Sequence, residues 1–132
     1  MKLDHVGVAV ASLAEARRFY EDLGLPCAGE EEVPEQKVRT AFYPLEGTRI
    51  ELLESTDPDG PIGRFIARRG PGLHHLCLEV PDVAAALEGL KARGYALVDE
   101  APRTGVGGRK VAFVHPKGTG GVLLELSERV KK

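Results

Sequence analysis

Near the N-terminus the apolar positions fall on every second residue. Val6, Val8 and Val10 alternate with His5, Gly7 and Ala9, the period of a strand with one face turned to a core. The spacing then changes. Ser12-Leu13-Ala14-Glu15 has the spacing of a capping box, and Leu13, Ala16, Phe19, Tyr20 and Leu23 recur at helical intervals. A helix with that apolar face is predicted, stopped by Gly24. Three strands are predicted next, at about 27–33, 38–45 and 48–54, with Glu46-Gly47 turning between the last two.

The same order of patterns returns further along. Leu3-Asp4-His5-Val6-Gly7-Val8-Ala9-Val10 aligns with Leu73-His74-His75-Leu76-Cys77-Leu78-Glu79-Val80 at an offset of 70. Asp82 is the expected N-cap of a second helix with Val83, Ala86, Leu87 and Leu90 on its apolar face and Gly94 at its end. Strands follow at about 95–100, 110–115 and 121–126. Ile50-Glu51-Leu52 matches Leu124-Glu125-Leu126 at an offset of 74, so the Gly-rich loops have absorbed small insertions. Between the halves, 55–61 reads as a loop, and 62–69 makes a short helix carrying Phe65 and Ile66, broken by Gly70-Pro71-Gly72. The predicted fold class is α+β: two tandem βαβββ modules whose curved sheets form a cleft. Module one covers about 1–54, the linker helix 55–72 and module two about 73–128, in a single domain over 1–132.

Composition narrows the class. A chain of 132 residues, 42% hydrophobic and 29% charged, is one ordinary domain with a core of its own. The 18 basic and 20 acidic residues give a formal charge of -2, which argues against a nucleic-acid partner. No apolar run approaches the roughly 20 residues of a membrane span, and Met1-Lys2-Leu3-Asp4-His5 lacks the apolar stretch of a signal peptide. Cys27 and Cys77 form neither a disulfide framework nor a close-spaced metal motif, and a cytoplasmic location fits them.

Strand parity singles out four polar residues. If Val6, Val8 and Val10 cover a helix, His5 faces the other side; likewise Leu76, Leu78 and Val80 leave His75 and Cys77 on the opposite face. Ile50 and Leu52 leave Glu51 there, and Leu124 and Leu126 leave Glu125. A single histidine or glutamate on a strand is usually structural or solvent-facing. Matched pairs in two repeats are not so explained, and two imidazoles with two carboxylates make an N2O2 set suited to Co, Mn, Ni or Zn. His74 aligns with Asp4 and falls at the strand edge or helix side, as a rim residue. Cys77 shares the face of His75 and reads as a buried inert thiol.

A strand with His, then a helix, then a strand with Glu, repeated, resembles the vicinal oxygen chelate superfamily (glyoxalases, bleomycin-resistance proteins and extradiol dioxygenases). Asp4 to Val10 and Ile50-Glu51-Leu52-Leu53 carry the general resemblance. The paired His74-His75 and the run from His115-Pro116-Lys117 to Val122-Leu123-Leu124-Glu125-Leu126 are more particular, and are similar to the methylmalonyl-CoA epimerase family.

That resemblance implies an isomerase of propionate metabolism interconverting the (R) and (S) forms of methylmalonyl-CoA by C2 proton abstraction through a metal-stabilised enolate. It implies one divalent ion per chain on His5, Glu51, His75 and Glu125, Co2+ foremost, with Mn2+, Ni2+ or Zn2+ as alternatives. Glu125 is then the expected base and Glu51 its counterpart on the other face of C2. Lys117, His74 and Thr40 are the expected substrate-binding residues, an acyl-CoA the partner, and a homodimer the assembly. Lys117, Arg109 and Lys110, with Arg64, Arg68 and Arg69, are the cations available to the coenzyme phosphates, although any one of them alone reads as a surface charge. One departure stands out: strand 38–45 has no carboxylate, and Thr40 occupies the place where some epimerases carry one. The alternatives are a glyoxalase I-like isomerase or lyase using the same ligands, and a non-catalytic binding protein of the same fold. Extradiol dioxygenases and fosfomycin-type transferases usually have three protein ligands, so a fourth argues against them.

Overall fold

The computed structural model describes residues 1–129. Its contacts divide into two compact units, one of His5–His74 and one of Met1–Asp4 together with the chain from His75 onward. Each contains a helix flanked by strands in the order βαβββ, so the fold is mixed α+β.

The first unit holds most of β1 (Lys2–Ala9), then α1 (Leu13–Asp22), β2 (Gly29–Val33), β3 (Val38–Leu45), β4 (Thr48–Ser55) and α2 (Pro61–Arg69). The strand order is β2-β3-β4-β1. β1 runs parallel to β4 with Gly7 opposite Glu51, and β3 runs antiparallel with Phe42 opposite Glu51. Ser12 caps α1 by accepting the Glu15 N–H at 3.2 Å, as the capping spacing predicts. Leu13, Ala16 and Tyr20 pack on Val8, Val10, Ala41, Tyr43, Ile50 and Leu52. Phe19 and Leu23 do not join this core; they are 65% and 66% exposed. The sheet covers only the stripe through Leu13, Ala16 and Tyr20, and Phe19 reaches just the edge of the Tyr20 ring at 5.3 Å. β2 begins at Gly29 rather than Cys27; just before it the Ala28 N–H donates to the Phe42 carbonyl at 2.8 Å and the Cys27 thiol turns to the Gly29 carbonyl at 3.4 Å.

The second unit holds most of β5 (Gly72–Val80), then α3 (Val83–Ala92), β6 (Arg103–Thr104), β7 (Lys110–Val114) and β8 (Leu124–Glu128), in strand order β5-β8-β7-β6. β5 runs parallel to β8 with Cys77 opposite Glu125, and β7 runs antiparallel with Phe113 opposite Glu125. Asp82 caps α3 by accepting the Ala85 N–H at 3.0 Å. Val83, Leu87 and Leu90 pack on Val80, Ala112, Val114 and Leu126.

Two strand expectations shift here. Residues 95–100 are not a regular strand: the N–H groups of Val98 and Asp99 both donate to the Phe113 carbonyl, at 3.0 and 3.2 Å, and only Leu97 bridges Val114. The Asp99 carboxylate takes the Phe113 N–H at 2.8 Å, a bond that a strand partner would otherwise fill. The regular pairing to β7 moves to Arg103–Thr104. β8 starts at Leu124 because the preceding loop bonds to itself: Gly121 N–H donates to the Pro116 carbonyl at 2.9 Å and the Thr119 hydroxyl to that of Val122.

A further repeat ties each sheet to its helix. Glu54, at the end of β4, accepts the Leu13 N–H at 2.5 Å, and Glu128, at the end of β8, accepts the Val83 N–H at 3.1 Å. Each carboxylate lies at a helix N-terminus, where unpaired N–H groups and the helix dipole favour an anion.

Candidate active site

In the first unit, β1 and β4 are buried on both faces. Val8, Ile50 and Leu52 pack toward α1. Strand alternation sends His5, Gly7, Arg49 and Glu51 to the other face. His5 and Glu51 are only 5% and 2% exposed, and His5 Nδ1 lies 3.3 Å from Glu51 Oε2. Arg49 adds a cation: its Nε donates to Glu51 Oε2 at 2.7 Å, and its Nη2 is 3.5 Å from His5 Nδ1.

The second unit builds a matching pair. His75 Nε2 lies 3.0 Å from Glu125 Oε1, with the residues 6% and 7% exposed. The ring of Phe113, directly opposite Glu125 in the ladder, meets His75 edge-on at 5.6 Å. Cys77, the neighbour of Glu125 on β5, is fully buried.

Each unit thus presents one imidazole and one carboxylate from adjacent parallel strands, buried and in contact. Such N and O donors are those a first-row divalent ion takes, and burial of two carboxylates is costly unless cations or donors meet them. The residues therefore fit a metal.

Two buried hydroxyls share these faces. Thr40 is on β3 opposite Leu53, and Ser127 is on β8 opposite Val111. Both are nearly inaccessible, and neither hydroxyl has a hydrogen-bond partner among the described residues. Thr40 lies one ladder step from the Phe42–Glu51 pair on the same face.

The other expected site residues are placed differently. The ring of His74 packs edge-on against Phe65 of α2 at 4.9 Å, on the opposite strand face from His75. Lys117 is exposed in the turn Pro116–Gly118, where its N–H donates to His115 Nδ1 at 3.0 Å. Arg109 is held in the fold: it meets Asp4 at 2.9 Å, Glu79 at 3.3 Å and the Glu128 carbonyl at 2.9 Å. That reach leads to structural carboxylates, the first of them on the residue before His5.

Sequence reasoning missed Arg49, Phe113 and Ser127. The signal for each was parity: Arg49 and Ser127 stand two residues from a singled-out glutamate, and Phe113 is its cross-strand neighbour.

Residues 4–113 match the family profile described as the glyoxalase/bleomycin resistance protein/dioxygenase superfamily. The chain belongs to that superfamily. It is 38% identical over 130 residues to the mitochondrial methylmalonyl-CoA epimerase of Dictyostelium discoideum, covering 97% of this chain and 78% of the relative. The crystal structure of methylmalonyl-CoA epimerase from Mycobacterium tuberculosis superposes with a TM-score of 0.91 at 38% identity, over 98% of this chain and 89% of that one. A methylmalonyl-CoA epimerase in complex with methylmalonyl-CoA and NH4+ gives 0.92 at 32% identity, over 98% of this chain and 94% of that one. The superfamily resemblance read from the repeats is therefore correct, as is the α+β class.

Proposed function

We propose that this chain is a methylmalonyl-CoA epimerase. The observation that carries the reading is the buried His–Glu pair built twice, His5 with Glu51 at 3.3 Å and His75 with Glu125 at 3.0 Å, in a chain similar to several proteins of that name. Together the four side chains would hold one divalent cation, Co2+ foremost by the resemblance and Mn2+, Ni2+ or Zn2+ as alternatives. A cation held there supplies Lewis acidity to the oxygens flanking C2.

The rest of the chemistry falls to the chain's own groups. C2 carries one hydrogen between a thioester and a carboxylate. Inversion requires that a base take this proton on one face and that an acid return one on the other. Glu125 is assigned the first role: its carboxylate accepts the C2 proton while the C–H electron pair moves into the thioester carbonyl. Glu51, protonated, returns a proton to the opposite face, and in the reverse direction the two exchange roles. The burial of both carboxylates favours this work, since an excluded-water site strengthens every charge interaction within it.

Thr40 lies on the face of Glu51 and is assigned to substrate, with Lys117 on an exposed turn for the coenzyme; His74, packed on Phe65 across the strand from His75, is left to the fold rather than to substrate. The acyl-CoA is the expected partner, and the whole chain acts as one domain and as a homodimer in the cytoplasm, where Cys27 and Cys77 stay free thiols.

The test is Glu125→Gln, assayed from each pure epimer. The expected result is a rate loss of at least about 100-fold, read on protein whose metal content has been restored to that of wild type. A variant that keeps both its metal and its full rate removes Glu125 from the base role.

A further inference from the structure

We propose that Arg49 recognises the free carboxylate of the substrate, and so selects a malonyl-type thioester over a neutral one. The proposal rests on the epimerase reading above and deepens it. Arg49 lies two residues before Glu51 on β4, hence on the same strand face. The parallel register that sets Gly7 opposite Glu51 sets His5 beside Arg49. The guanidinium sits at the margin of the buried pair: Arg49 is 26% exposed where Glu51 is 2%.

Its chemistry suits the role. A guanidinium is always charged and offers five N–H donors in a planar fork that matches a carboxylate. Arg49 Nε donates to Glu51 Oε2 at 2.7 Å and its Nη2 lies 3.5 Å from His5 Nδ1, so the guanidinium touches both members of the pair. The corresponding position in the second unit, 74 residues on by the register of the two glutamates, is Leu123, which brings no charge. At this position the repeat is thus broken, with a cation beside the His–Glu pair in the first unit and an aliphatic side chain in the second. The substrate is asymmetric in the same sense, with its free carboxylate on one side of C2 and the thioester on the other. A fixed positive charge there also offsets the negative charge that makes C2 hard to deprotonate.

A role limited to holding Glu51 in place would affect all substrates alike, and this separates the two accounts. The experiment is calorimetric titration of malonyl-CoA and of its carboxamide isostere, malonamyl-CoA, into wild type, Arg49→Leu and Arg49→Lys. Wild type is expected to prefer malonyl-CoA by about 10- to 100-fold, the range of a hydrogen bond between charged groups. Arg49→Leu is expected to bind the two thioesters within about twofold of each other, and Arg49→Lys to keep part of the preference, on the same charge argument. An Arg49→Leu protein that retains the preference, or a wild type that shows none, overturns the proposal. Wild type that binds neither thioester overturns the epimerase reading as well, an outcome visible before any variant is made.

Discussion

Thr40 shows how a single side chain separates folding from function. It is fully buried on β3, and its hydroxyl has no hydrogen-bond partner among the described residues. A buried hydroxyl left so costs about 1–3 kcal/mol, a cost retained in native structures mostly where a water or ligand uses the group. Thr40→Val keeps the shape and removes that cost. It is expected to raise stability by about 1 kcal/mol in denaturant unfolding and to slow epimerisation. Lower stability with unchanged turnover would mean that the hydroxyl serves the fold instead. At the same scale the four metal-ligand candidates were legible, because period-2 alternation fixes which residues oppose the helix face. Arg49 obeys the same alternation, but parity alone does not distinguish a cation at a site from one facing solvent.

At the scale of the elements, the helices are held by carboxylates that come from far along the chain. Glu54 reaches the N-terminus of α1 and Glu128 that of α3. Replacing either by Ala is expected to destabilise the protein by about 1 kcal/mol, as loss of a helix cap does, read as a lower denaturation midpoint with unchanged slope. An unchanged midpoint would show that Ser12 or Asp82 alone suffices at that end. These links were not visible in sequence, since 41 and 45 residues separate the partners. The local signals were: Ser12 and Asp82 do cap their helices, and β3 spans the predicted 38–45. Residues 95–100 misled because the apolar run Tyr95-Ala96-Leu97-Val98 suits a strand, while the Asp99 carboxylate takes over the Phe113 N–H and the ladder moves to Arg103–Thr104. Tyr43 in the first core carries a related link. Burial, and then its bond to Glu21 at 2.8 Å, pushes its hydroxyl pKa well above the ordinary value.

For the whole molecule, a formal charge of -2 gives no general field for polyanions, and no helix among the described residues is long and apolar enough to cross a membrane. The internal repeat gave the βαβββ order in advance, because each module must cover its own helix with its own strands, and each does so with a separate core. The proposed function rests on the residues that the repeat leaves on the faces opposite those helices. The most direct test is hydrogen exchange at C2. Methylmalonyl-CoA is incubated in D2O with the protein, with Co2+ added or with a chelator present, and deuterium at C2 is followed together with configuration. The account predicts exchange and epimerisation that proceed together, are lost on metal removal and return when Co2+ is restored. No exchange, from protein shown to hold its metal, would contradict it.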